Sequence, residues 1–103
     1  MTFKVNDYNV HRFLDLSTAH VPKATATALG DLSGPLHDGC EGLMLLPYDY
    51  GWIVWSANDT DKECLNAHPE LRDLIRFADA NGFYALKFDC DAEPLEGAPT
   101  FNW

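Results

Sequence analysis

From Pro69 to Gly82 the chain leaves little choice of structure. Leu71, Leu74, Ile75 and Ala78 recur at helical spacing and make one apolar stripe. Glu70, Arg72, Asp73, Arg76 and Asp79 lie off that stripe. Pro69 suits a first helical turn, where its missing N–H costs nothing. Asn81-Gly82 is a helix-stop signal. A helix with one apolar stripe must lay it against another layer, so the rest of the chain has to supply a sheet.

The remaining segments supply one. His11 to Leu16 reads as a strand, with Leu14 and Leu16 on one face and Phe13 and Asp15 on the other. Thr25, Ala28, Leu29 and Leu32 follow helical spacing, predicting a slim helix over residues 22–32 that Ser33-Gly34-Pro35 ends. Gly42 to Leu46 reads as a short strand buried on both faces. Pro47 to Gly51 reads as a hairpin connection, with Gly51 expected to supply an unusual backbone angle. Trp52 to Trp55 is a second strand of high β-propensity, and Asn58 to Asp61 a polar loop. Phe83 to Asp89 is a last strand, with Tyr84, Leu86 and Phe88 on one face and Lys87 on the other. Cys90 to Trp103 contains Pro94, Gly97 and Pro99 and reads as irregular, held down by Leu95, Phe101 and Trp103. The order β-α-β-β-α-β predicts one α+β domain over residues 1–103. Its expected form is an antiparallel sheet with two helices on one face, a ferredoxin-like arrangement.

Charge narrows the function. The net charge is −9, and it is unevenly spread. Between Lys23 and Lys62 there is no Lys or Arg, but there are six acids: Asp31, Asp38, Glu41, Asp49, Asp59 and Asp61. An acidic folded body repels nucleic acid and membrane surfaces and favours basic partners. Hydrophobic residues at 47% rule out a disordered acidic tail. No apolar run reaches the roughly 18 residues of a membrane span, and Met1 to Asp7 has no secretory h-region. Cys40, Cys64 and Cys90 are an odd number without a Cys-x-x-Cys pair, which predicts reduced thiols and a cytoplasmic protein.

Three clusters carry candidate chemistry. Asp15, Ser17 and His20 place an acid, a hydroxyl and an imidazole at a strand end, as a small hydrolase would need. No nucleophile-elbow motif accompanies them, and a capping role for Ser17 or Thr18 competes. His37, Asp38, Cys40, Cys64 and His68 include soft metal ligands, but no pair has zinc spacing, so no metal is expected. Asp89, Asp91 and Glu93 could face a hard cation, but the EF-hand pattern is absent and a solvated acidic strand end is the plainer reading. No glycine-rich phosphate cradle is present, and no cofactor is expected.

Tyr48, Tyr50, Trp52 and Trp55 crowd one hairpin. Base-stacking platforms have such rings but add a basic groove. This hairpin holds no Lys or Arg, so the rings fit core packing or a protein–protein surface instead.

Leu14 to His20, Tyr50 to Trp55 and Asp91 to Trp103 together resemble a family of small bacterial proteins of unknown function, found also in phage and plasmid genomes. The resemblance spans most of the chain and implies no activity or catalytic residue. It implies a mobile-element setting, in which small acidic proteins often look like anti-CRISPR or anti-restriction inhibitors. The expected function is therefore a non-enzymatic module that occupies a basic, nucleic-acid-binding surface of a protein partner. Its partner-binding set would be Asp31, Asp38, Glu41, Asp49, Asp59, Asp61 and Glu63, with Tyr48, Tyr50 and Trp52 as anchors. The alternatives are the hydrolase above and a regulatory homo-oligomer joined through an open sheet face.

Overall fold

The computed structural model describes residues 2–31, 36 and 44–103. The elements are β1 (Phe13–Ser17), α1 (Lys23–Gly30), β2 (Leu45–Tyr48), β3 (Gly51–Trp55), α2 (Pro69–Ala80) and β4 (Ala85–Asp89). The expected β-α-β-β-α-β order holds. α2 begins at Pro69 and buries Leu71, Ile75 and Ala78. It ends in paired bonds, Phe83 N–H to the Ala78 carbonyl at 2.9 Å and Gly82 N–H to the Asp79 carbonyl at 3.3 Å. Those bonds require a left-handed residue after the cap, and Gly82 supplies it with φ +76°.

The sheet order is β1-β4-β3-β2. β4 pairs antiparallel with β3, and β3 with β2, but β1 runs parallel to β4. The sheet is therefore mixed, which corrects the fully antiparallel, ferredoxin-like expectation. The reason lies in β1, which sits at an edge with only the last strand beside it.

Register sorts the side chains. Leu14 and Leu16 lie beside Leu86 and Phe88, which lie beside Val54 and Trp52. Leu16, Val54, Leu86 and Phe88 are fully buried and share one cluster with Ala26 and Leu29 of α1, Leu71, Ile75 and Ala78 of α2, and Leu36. Both helices thus cover this face. A phenyl ring such as that of Phe88, wholly removed from water, stabilises the fold by roughly 3 kcal/mol. The other face carries Phe13, Asp15, Ile53, Trp55 and Lys87 by the same register.

Several local expectations change. α1 starts at Lys23 with Pro22 as its cap and closes at Gly30; Leu32 and Ser33-Gly34-Pro35 lie outside the described residues. β2 is an edge strand with Leu46 exposed, so it is not buried on both faces. Gly51 has no positive φ; a Cβ there would collide with the Phe88 carbonyl on the neighbouring strand. Tyr84 precedes β4 and is exposed rather than core-facing, its ring stacked on His11 at 4.3 Å. Cys64 is disulfide-bonded and Cys90 is a free thiol. That corrects the reading of reduced thiols and withdraws its support for a reducing compartment. Cys40 lies outside the described residues. Among the described residues no helix is long and apolar enough to cross a membrane.

Two buried polar residues tie neighbouring elements within each layer. Asn58 accepts from the Met44 N–H at 2.5 Å and donates to the Met44 and Trp55 carbonyls at 2.9 and 2.7 Å, which extends the β2–β3 pairing. Thr25 of α1 meets His68 Nδ1 at 2.8 Å, joining α1 to the start of α2. Burial favours the neutral His68 ring and holds its pKa below the ordinary 6.5, with Glu70 opposing in part. The unfolded chain therefore binds a proton that the folded chain resists. Stability is full above about pH 6.5 and falls as pH drops toward the folded value. Thermal midpoints measured from neutral to mildly acid pH should decline in the wild type, and His68→Gln should flatten that decline.

Candidate functional site

At the end of the sheet where β4 finishes, Tyr48, Asp49, Tyr50 and Trp52 line one open cleft with Thr18, Gly51, Cys90 and Trp103. Its volume is about 320 Å³. The β2–β3 turn presents Asp49 and Tyr50 to solvent. Trp103 donates its indole N–H to the Val21 carbonyl at 2.9 Å, which fixes that ring as a wall. Tyr48 and Tyr50 meet edge to face at 6.3 Å.

The Tyr48 hydroxyl lies 2.8 Å from Asp89 Oδ2 and 3.2 Å from the Phe88 carbonyl. Desolvation, then the Asp89 carboxylate, pushes this phenol far above its ordinary value, so it stays a donor. Asp89 in turn is held below the ordinary carboxylate range, first by the Asp91 N–H, then by the Tyr48 hydroxyl, with Lys87 adding to both. Lys87 Nζ stands 3.8 Å from Asp89 and 5.8 Å from the Tyr48 ring centre.

Asp89, Cys90 and Asp91 bring their ligand atoms within 4.8 Å of one another. Two carboxylates and a thiol on an exposed strand end are a common solvated arrangement. The Cys90 thiol is pushed up by desolvation and then by Asp91 and Asp89. Since the thiolate is the nucleophile, Cys90 should alkylate with iodoacetamide more slowly at neutral pH than free cysteine, and Asp91→Asn should speed it. A rate equal to that of free cysteine would contradict this environment.

The other predicted carboxylates go elsewhere. Asp31 caps the end of α1. Asp59, Asp61 and Glu63 follow β3 at the opposite end of the sheet from Asp49. Asp59 accepts from the Asp61 N–H at 2.9 Å, and Asp61 pairs with Arg76 at 3.1 Å. Asp38 and Glu41 lie outside the described residues, as does His37. The acidic stretch is thus split across the molecule. Asp89 and Asp91, beside the cleft, were not in the predicted binding set, because nothing local in the sequence says that β4 ends next to the hairpin.

Asp15, Ser17 and His20 are not arranged as a hydrolytic centre. Ser17 Oγ accepts from the Ala19 N–H at 3.1 Å, a local cap. Asp15 pairs in register with Lys87 on the uncovered face. His20 is buried, and both its ring nitrogens are engaged. Nε2 accepts from the Leu95 N–H at 2.8 Å, and Nδ1 lies 2.8 Å from the Pro99 carbonyl. A carbonyl can only accept and an amide N–H can only donate, so the proton sits on Nδ1. The tail crosses beside it, with the Phe101 N–H donating to the Ala19 carbonyl at 2.8 Å. His20 is a latch for the tail that walls the cleft.

Neither a curated protein nor a solved structure matches this chain. Residues 13–103 match the model of the C-terminal domain of a family of unknown function, DUF5983, and the chain belongs to that family.

Proposed function

We propose that this family member is a non-enzymatic binding domain whose hairpin-end cleft takes basic side chains of a protein partner. In its most specific form the partner handles nucleic acid, and carboxylates fill its Lys/Arg groove where phosphates would lie. The observation that carries the reading is the convergence of Tyr48, Asp49, Tyr50 and Trp52 with Trp103 in one open cleft beside Asp89 and Asp91. Aromatic faces attract Lys and Arg by roughly 0.5–1 kcal/mol at exposed sites. Carboxylates beside them add charge complementarity and speed encounter.

An arginine-rich peptide, followed by fluorescence of the cleft tryptophans, tests this. Binding should weaken as salt rises. Tyr50→Ala and Asp49→Asn should each weaken it about threefold to fivefold. Asp61→Asn, at the far end of the sheet, should leave it unchanged. Binding indifferent to salt, or equally sensitive to Asp61→Asn, would sink the reading.

A further inference from the structure

Among the described residues, the segment before β1 and the sheet face that neither helix covers are two unsatisfied apolar surfaces. In the segment, Phe3, Val5, Tyr8 and Val10 are 81%, 70%, 76% and 61% exposed. A short turn at Asp7–Asn9 orders part of it through its own bonds, among them Asn6 N–H to Asn9 Oδ1 at 3.0 Å. This arm lies outside residues 13–103 that match the family. On the sheet face, Phe13, Ile53, Trp55 and Tyr84 line a cleft of about 190 Å³ flanked by Arg12 and Lys87. Contiguous exposed apolar surface of this kind marks a place of association.

We propose that the arm of a second copy fills this cleft, giving a two-fold dimer by arm exchange. The arm leaves from the cleft's own rim: His11 stacks on Tyr84, and the Arg12 carbonyl accepts from the Tyr84 N–H at 2.6 Å. Residues 2–6, extended ahead of the turn, span up to about 18 Å, enough to cross a dyad at the cleft mouth. The same patch on both copies closes the assembly at two. Phe3 and Tyr8 each bury roughly 150–250 Å². With Val5 and Val10, two arms on two clefts approach the roughly 1,600 Å² of a standard interface.

Charge selects this face for self-association. The arm and the cleft lining hold Lys4, Arg12 and Lys87 but one acid, Asp7, of the sixteen in the chain. Asp15 and Asp89 also lie on this face by register but outside the cleft lining, so two copies of a −9 chain meet at the cleft itself with little carboxylate repulsion. Asp7 of the incoming arm finds Arg12 in the cleft it enters, while Lys87 stays beside Asp89 at 3.8 Å.

Sedimentation equilibrium of the full chain tests the proposal. The wild type should be a dimer at micromolar concentration. Phe3→Ser with Tyr8→Ser, which lie outside the packed domain, removes four rings from the two-fold assembly and should weaken the dimer about ten-thousandfold, tenfold for each ring lost. Trp55→Asp should weaken it similarly from the cleft side. Mixing the arm variant with the cleft variant pairs one intact arm with one intact cleft, so a heterodimer should form where neither variant self-associates. A monomer at every concentration, a dimer undiminished by the arm changes, or no heterodimer on mixing would each overturn arm exchange. Because the peptide-binding cleft lies at the other end of the sheet, failure here leaves the arginine-peptide result untouched.

Discussion

Replacing His20 with alanine should destabilise the fold by about 3–5 kcal/mol and release the C-terminal tail. The imidazole is buried, and both its ring nitrogens meet backbone atoms of the tail. Its loss leaves a cavity and removes the partners of the Leu95 N–H and the Pro99 carbonyl. The tail carries no helix or strand to hold it otherwise. Its other ties include the Phe101 bond to Ala19, the Trp103 bond to Val21 and the packing of Leu95 against the core. Urea unfolding gives the stability, and amide exchange at Leu95 and Phe101 reports the latch directly. His20→Gln should recover part of the loss, since a carboxamide can donate to one partner and accept from the other. A His20→Ala variant within about 1 kcal/mol of wild type, with Leu95 and Phe101 still protected, would show that the tail is held by other means.

Gly51→Ala should be the second severe substitution, at about 2–4 kcal/mol. The added Cβ meets the Phe88 carbonyl, which belongs to the backbone of the adjacent strand and cannot swing away. Either β3 shifts from β4 or the Gly51–Asp89 pairing opens. The Tyr48 hydroxyl, which also meets that carbonyl, is displaced with it. Gly97 is the contrast: its φ is +85° with nothing within 4 Å of a Cβ. Gly97→Ala therefore strains only its own backbone and should cost about 1 kcal/mol. Equal effects of the two substitutions in urea unfolding would refute the interstrand clash.

The sequence made α2, the two hydrophobic faces of β1 and β4, and the Trp-rich β3 legible, because each has a period that local chemistry enforces. It hid the parallel pairing of β1 with β4, since strand direction depends on where the connections run and not on the residues in the strands. A turn rule points to Gly51, but its need arises from a neighbour 37 positions away, which no turn rule describes. The hairpin residues Tyr48, Asp49, Tyr50 and Trp52 were legible as a cluster because they are adjacent in sequence. Trp103, Asp89 and Asp91 joined them only through the fold. His20 reads in sequence as a reactive group, yet its partners are backbone atoms 75 and 79 positions later in an irregular segment. Such partners carry no signature in residue type.

The place of β1 also sets the order in which the molecule can be assembled. The sheet partner of β1 is the final strand, so it waits unpaired through the formation of α1, the β2–β3 hairpin and α2. The chain's first strand can dock only after residue 89 is available, and the loop closed at that step is nearly the whole domain. Nascent chains halted before β4 should therefore remain open to proteases throughout β1, and refolding should be slow for a domain of this length.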